Sequence, residues 1–522
     1  MSARSARSTK PVTSSRSAFS DNVSACSTMG RRRFVMKEES HDLQKTGIPD
    51  ATGFAPGTQQ PLPGYGCWRD SAVSVTIRAR RERGGGWMAR DTDEVASSGN
   101  FGATLLFCCV GCFYWITLTP FVDTSVNPAL AKPALWSQLL AYLLFLIVLV
   151  YSMTPRVRSV IFQPRLLLTL VFGWLFLTAA LSVDPLGAVR RVLIALTVCI
   201  SASTFLMLSK GESQFARLAG GGVILIVGLC YFGVLFLPSL AIHQLTDFLE
   251  PQHAGRWKGI YVQKNETGVV MALSCFVGIY LMSAWSRVIG VLLIAASCLF
   301  LLKTGAKTST AMLPGIFLLS IFFERWRWIR VPVVFGGVGL LNLATVGVST
   351  IAPLREIVAA TGIDTTYTAR ADIWRLALDA IAQHPITGYG FGSFWGAESL
   401  VNSDMRTLNW AVRAVDAHNA YVDAAMNAGI PGLILMVIWV LATPLKNLAA
   451  IDAAKNFTPL TRLFLRIWLF SIFLACLESI FLARSGPIWF TMMVAMFGLG
   501  YQARYRIIAS RKAEPAYGPA YA

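Results

Sequence analysis

The fold this sequence predicts is an all-α polytopic membrane protein with about twelve transmembrane helices, and three observations predict it. Of 522 residues, 54% are hydrophobic and 14% charged, where a soluble globular chain carries about 25% charged residues. The apolar residues gather into runs close to the roughly 20 residues a helix needs to cross hydrocarbon. The basic residues fall mainly between those runs. The hydrocarbon core has no water to satisfy backbone groups, so such runs must be helices. A soluble multidomain protein is excluded.

Taken in order, residues 1–98 are rich in Ser, Arg, Gly and Pro and lack apolar periodicity, so they are expected to be disordered. No apolar run follows the early arginines, so no secretory signal is present there. Met88 precedes a short polar stretch, ARDTDEVASSGN, and then the first apolar run, which makes it an alternative translation start. The membrane domain occupies 99–505. Its twelve runs lie at about 101–119, 135–153, 166–182, 190–209, 218–237, 268–285, 288–303, 309–323, 331–351, 429–445, 461–480 and 486–503. A polar tail, 506–522, follows.

Short loops carry the orientation signal. With the basic N-terminus inside, alternation puts Arg156, Arg158 and Arg165 inside, then Lys210 and Arg217, then Arg287. Arg325, Arg327 and Arg330 follow, then Lys446, Lys455, Arg462 and Arg466, and finally Arg504, Arg506, Arg511 and Lys512 of the tail. Basic inner loops are what the positive-inside rule expects, with both termini cytoplasmic. The net charge of +18 is therefore largely topological, and nucleic acid is not an expected partner. Eight of the ten cysteines sit inside apolar runs, where cysteine behaves as a small hydrophobe. No metal-ligand spacing and no disulfide framework is visible.

The same alternation leaves two long loops outside, 238–267 and 352–418. Long segments translocate largely regardless of charge, so their basic residues are free for other duties. The second ends in AVDAHNAYVDAAMNAGIPG: His418-Asn419, nine residues, then Gly429 and Gly432. An imidazole at the membrane surface can exchange protons near neutral pH, against the blander reading of a structural or capping histidine. Upstream, 368–383 reads as an amphipathic helix with Ile373, Trp374, Ala377, Leu378 and Ile381 on one face. Arg370 stands at its front; Arg375 on its flank reads as a solvated surface charge. His384-Pro385 and GYGFG then break the pattern. The first loop carries HAGRWKGIYVQKNETG, in which Arg256, Lys258 and Lys264 interleave with Trp257 and Tyr261. A guanidinium fork suits phosphate oxygens; interfacial anchoring by the aromatics is the competing reading. Arg190 and Arg191 after SVDP, and Lys307 in KTGAKTSTA, put further charge at outer helix ends. Charge there is a functional hint, with snorkelling to headgroups as the alternative.

At these residues the chain resembles the O-antigen ligase and polysaccharide polymerase family of bacterial membrane proteins. The resemblance rests on His418-Asn419-(nine)-Gly429-x-x-Gly432, on ARADIW with HPITGYGFGSF, on SVDPLGAVRR, and on GRWKGIYVQKNETG. The last is similar to the exopolysaccharide-polymerase (ExoQ-like) branch. Together the matches span about 180–440. The resemblance implies a metal-independent glycosyltransferase of the membrane-embedded C-type architecture, needing no cofactor and working at the outer face of the inner membrane. Its implied donor is a glycan on undecaprenyl diphosphate. The acceptor is a second lipid-linked repeat unit in a polymerase, or lipid A–core in a ligase. Membrane lipids, a flippase and a chain-length regulator are the implied partners.

By position, Arg256 and Arg370 are implied to hold the donor diphosphate and His418 to orient or deprotonate the acceptor hydroxyl. Arg190 and Arg191 would assist at the phosphates, and Lys258, Lys264, Lys307 and Asn419 complete the expected binding residues. Asp372, Asp416 and Asp423 lie close enough in sequence for one of them to be the base instead. A transporter or lipid flippase is the reading from another class, because twelve helices with both ends inside also suit it. Against it, the two long loops are asymmetric and no internal repeat is visible.

Overall fold

The computed structural model describes residues 76–79, 101–117, 119–126, 135–248, 250–360, 370–395, 411, 414–482 and 486–508, all within the unit Cys67–Ala522. Met88 and most of the 1–98 extension lie outside the described residues, as does most of the 506–522 tail. Four residues of that extension do have strand structure. Thr76–Ala79 (β1) pairs antiparallel with Tyr505–Ile508 (β2), two short segments that each contain β-branched residues suited to a ladder.

Everything else described is helix or connection. The principal helices are α1 Phe101–Trp115, α2 Leu135–Ser152, α3 Arg165–Ala180, α4 Pro185–Phe205 and α5 Glu212–Phe236. Then come α6 Lys264–Ala284, α7 Arg287–Thr304, α8 Lys307–Arg325 and the span α9 Arg327–Thr350. The last four are α10 Arg370–Gln383, α11 Ala420–Val437, α12 Pro459–Leu474 and α13 Pro487–Arg504. Each of the twelve apolar runs has a helix in its place, and α10 is the expected amphipathic one. Among the described residues six helices are long and apolar enough to cross a membrane: α4, α5, α6, α7, α9, and α11 with its continuation to Ala453. The protein is an all-α polytopic membrane protein.

Local chemistry sets the boundaries. Asp184 caps α4 by accepting from the Gly187 N–H at 3.0 Å, with Pro185 at the first helical position. The helix therefore starts at 185 rather than 190, and Arg190 and Arg191 lie inside its second turn. Thr458 and Thr461 form a capping box for α12, again with proline first. That helix ends at Leu474, not at 480, because Leu477, Glu478 and Ser479 are drawn into bonds with other segments (below). In α9 and after α11 the helix widens into π turns at Pro332–Gly336, Leu343–Gly347 and Ile438–Ala442.

Burial is inverted relative to a soluble protein. Leu139, Leu143, Leu146, Leu166, Leu302 and Leu340 are exposed around the outside, as helices facing lipid require. The interior is built from α6, α12 and α13. A 78% share of the α6 apolar window is buried, which makes it a central helix rather than a lipid-facing one. The α6–α7 pair crosses with backbones close together. A Cβ on Gly290 would lie 2.6 Å from the Gly278 carbonyl oxygen, so small residues set this distance.

The largest departure from the sequence reading is in α11. It starts at Ala420 rather than 429 and breaks at Gly429, whose φ of 67° and ψ of −177° are non-helical. The break frees the carbonyls of the preceding turn, and buried carbonyls need donors. Tyr389 N–H donates to Met426 O (2.9 Å), Gly390 N–H to Asn427 O (3.0 Å) and Trp174 Nε1 to Ala428 O (2.8 Å). In return Pro385 O accepts from Ile430 N–H at 2.8 Å. Gly388, at φ 63°, brings the backbone in: a Cβ there would sit 2.4 Å from Met426 O. GYGFG is thus a backbone dock for the broken helix.

Candidate active site

The Asn419 side chain fixes the start of α11. Its Oδ1 accepts from the N–H groups of Tyr421 and Val422, at 3.0 and 3.1 Å. Its Nδ2 donates to Asn342 Oδ1 on α9 and to Cys476 O, at 2.7 and 3.0 Å. The residue is fully buried with each group occupied, so Asn419, expected to bind substrate, is a structural joint between three segments. It leaves His418 directly before the cap, in the left-handed region at φ 47°. There Asp416 Oδ1 accepts from the His418 backbone N–H at 2.8 Å.

A carboxylate that the sequence reading passed over occupies the centre. Glu478 follows α12, its N–H donating to Leu474 O at 2.9 Å. Glu478 Oε1 accepts from Arg370 Nη2 at 3.1 Å, while Arg370 Nη1 donates to Leu477 O at 2.6 Å. Glu478 Oε2 lies 3.3 Å from His418 Nδ1. One side chain therefore joins the front of α10 to His418, just ahead of the cap of α11. The available signal was a glutamate near the end of the apolar run 461–480, the kind of intramembrane charge that marks function.

Electrostatics follow from this contact. Burial alone lowers the His418 pKa, but the Glu478 hydrogen bond and the charge of Asp416 raise it, and the result lies above the ordinary imidazole value. For Glu478, burial pushes up while the His418 hydrogen bond and the Arg370 charge push down, and the carboxylate ends below its ordinary range. Asp423 sits behind the pair. It accepts from Ser479 Oγ, from Trp395 Nε1 at 2.9 Å and from Ala417 N–H at 3.2 Å. Trp374 Nε1 of α10 donates to Ala417 O at 2.9 Å, which ties the helix bearing Arg370 to the His418 strand of chain. Arg375 is turned to structure, donating to Asp372 at 2.7 Å and to Ser349 O at 3.0 Å.

The first outer loop approaches from the other side. Lys264, opening α6, lies in electrostatic range of Glu250, Arg256, Glu478 and Lys307. Arg256 is exposed, with its guanidinium against Gly305, where a Cβ would stand 3.0 Å from Cζ. Arg370 and His418 contact Glu478 directly, and Lys264 lies between that carboxylate and the charges of Arg256 and Lys307. A buried pair supports the loop from beneath: His243 Nδ1 is 2.6 Å from Asp247 Oδ2. The backbone of His243 bonds that of Arg256 (2.9 Å), and its Nε2 accepts from the Lys264 N–H at 3.3 Å.

Two other expectations shift. Lys258, expected to bind substrate, is fully buried and donates to Thr124 Oγ1. Burial lowers its pKa, opposed by Asp247 and Asp123. It holds the loop to the 119–126 segment and has no surface to offer a ligand. Arg191 donates to Asp184 at 3.1 Å and to Phe391 O at 3.3 Å, bracing the GYGFG loop on α4. Neighbouring Arg190 is exposed. Among the described residues, no hydrogen bond or ion pair joins either to the Glu478 cluster. Among the described residues there is no group of acidic, histidine or cysteine side chains fit to hold a metal.

Residues 289–437 match the family model described as O-antigen ligase. The chain carries a domain of the O-antigen ligase family. The match runs from α7 into α11 and includes Lys307, Arg370 and His418, whereas Arg256, Lys264 and Glu478 join the site from outside it. The matched domain supports ligase- or polymerase-type activity on lipid-linked glycans in general terms. No curated protein matches the chain.

Proposed function

We propose that this O-antigen ligase family protein polymerises undecaprenyl-diphosphate-linked repeat units into exopolysaccharide or O-antigen. The reaction site would be the outer face of the bacterial inner membrane. The observation that carries the reading is that three cations, Arg256, Lys264 and Lys307, gather at the end of an apolar bundle where Glu478 links His418 and Arg370. Arg370 and Arg256 would hold the donor diphosphate, with Lys264 and Lys307 adding positive potential. His418 would take the proton from the acceptor hydroxyl as its oxygen attacks the anomeric carbon. The bond from that carbon to the phosphate oxygen breaks, and its electron pair leaves on the diphosphate. Cations placed where that charge develops stabilise the transition state; a positioned base contributes typically ~10²–10⁴-fold. The lipid diphosphate is a good enough leaving group for this to proceed without a metal.

The opposite end of the bundle supports the orientation. Arg330 pairs with Asp452, Arg462 donates to Glu324 at 2.8 Å and Arg466 donates to Ser320 at 3.2 Å. That end would face the cytoplasm under the positive-inside rule. The GRWKGIYVQKNETG segment favours the ExoQ-like polymerase branch; the description of the matched family favours ligation to lipid A–core as the second reading. The test is purified protein in liposomes with lipid-linked repeat units and chelator. Elongation without ATP or an ion gradient supports polymerase. Transfer only when lipid A–core is supplied supports ligase, and no glycan transfer at all overturns both.

A further inference from the structure

We infer that Glu478 is the positioning residue that turns His418 into a directed base, and that it couples the base to the phosphate-binding arginine. The inference rests on the glycan-transfer reading above. Only a carboxylate reaching both partners explains the geometry: Oε1 takes Arg370 and Oε2 faces His418 Nδ1. A carboxylate accepts and does not donate, so the proton of a neutral His418 resides on Nδ1. The Nε2 lone pair is then the one presented outward. Among the described residues His418 Nε2 has no hydrogen-bond partner, so the nitrogen left free is the one a base needs.

Glu478 is itself poorly suited to be the base. Both its oxygens are engaged by cationic or potentially cationic groups, which hold it ionised. Asp423 is likewise committed, to Ser479, Trp395 and Ala417. The charged groups facing His418 come from three segments: Asp416 beside it, Arg370 on α10 and Glu478 after α12, while Asp423 on α11 lies behind, against Ala417 and Ser479. Lys264 approaches Glu478 from the first outer loop, with Arg256 beside Lys264. Of the carboxylates, Glu478 alone touches Arg370. When a diphosphate takes Arg370 Nη2, Oε1 is released and the negative charge of Glu478 is left to His418, so donor binding would strengthen the base.

The test pairs two measurements on detergent-purified wild type, Glu478→Gln and Glu478→Asp. Site-resolved diethyl pyrocarbonate labelling of His418 against pH, read by mass spectrometry, follows the neutral imidazole without needing activity. The wild-type midpoint is expected above about 6.5, the ordinary value, with Glu478→Gln moving it to lower pH and Glu478→Asp returning it part-way. In the elongation assay kcat of Glu478→Gln should fall ~10-fold or more. Its acidic limb should shift the same way, and KM for the lipid-linked donor should not rise. A His418 midpoint that stays put in a folded Glu478→Gln variant overturns the inference. So does unchanged kcat. If the wild type transfers no glycan, the functional reading falls, while the labelling still decides whether Glu478 governs His418.

Discussion

His418 and Arg370 could be found in the sequence because each sits in a polar segment where a charge has no topological duty. Glu478 could not be placed, because it ends an apolar run and its partners are 60 and 108 residues away. Asn419, expected among the binding residues, has its side chain engaged inside the protein, which its motif position did not reveal. Asn419→Ala removes the cap, worth ~1 kcal/mol, and leaves Asn342 Oδ1 without its donor. A lower midpoint in detergent thermal unfolding, with the KM for donor little changed, is the expected result. Arg370 makes two bonds through two nitrogens of one plane, to Leu477 O and Glu478. A lysine cannot make both, so Arg370→Lys should lose elongation nearly as fully as Arg370→Ala, and full activity would reduce Arg370 to a point charge. Beneath Arg256, burial lowers the His243 pKa against the pull of Asp247. For Asp247, burial raises the pKa, but the His243 and Thr124 hydrogen bonds and the Lys258 charge bring it below its ordinary value. Both folded-state values are depressed, so this stability is present at neutral pH. It is lost as pH falls, first below about 6.5 for the histidine and then below about 3.9 for the aspartate. Protection from hydrogen exchange over 242–264, taken relative to the intrinsic rate at each pH, should therefore fall on mild acidification, and His243→Gln should remove the first step of that response.

At the scale of elements, twelve apolar runs became twelve helices because run length and hydropathy are set by the bilayer and read directly. Boundaries were less legible where side chains from distant segments decide them. The stretch AYVDAAMNA reads as loop, since Asp423 interrupts its apolar pattern, yet it forms the first turns of α11 because Asn419 caps it and Asp423 finds Ser479, Trp395 and Ala417. The break after it was legible in Gly429-x-Pro431-Gly432. Gly429→Ala combines a left-handed φ, costing roughly 1–2 kcal/mol, with a Cβ only 2.0 Å from Ile386 O. The variant should reach the membrane at reduced levels or unfold at lower temperature. Wild-type thermal stability in Gly429→Ala would mean that the 385–392 loop yields easily.

At the scale of the whole molecule, inverted burial was predictable from composition, whereas the meeting of the two outer loops was expected from the family resemblance and not from composition. Nothing in either loop's sequence says that Lys264 and Glu478 come within electrostatic reach, because that depends on how α6, α8 and α12 pack. Membrane-impermeant thiol labelling of cysteines placed singly at Arg256 and Val415, in a background without native cysteines, should report the outer side for both. Cysteines at Arg327 and Lys455 should react only after permeabilisation. Labelling of position 415 from the cytosol would invert the molecule and remove the proposed reaction from the outer surface.

The broken helix has a consequence for how relatives would diverge. HPITGYGFG and the glycines at 429 and 432 look like separate motifs about forty residues apart, yet their backbones supply each other's missing partners. They are two halves of one joint, and mutations should trade across it: a chain that straightened its helix at 429 would have no use for the bend at 388. Substitutions at the two places should accordingly be inherited together, and a library randomising one half alone should return mostly misfolded protein.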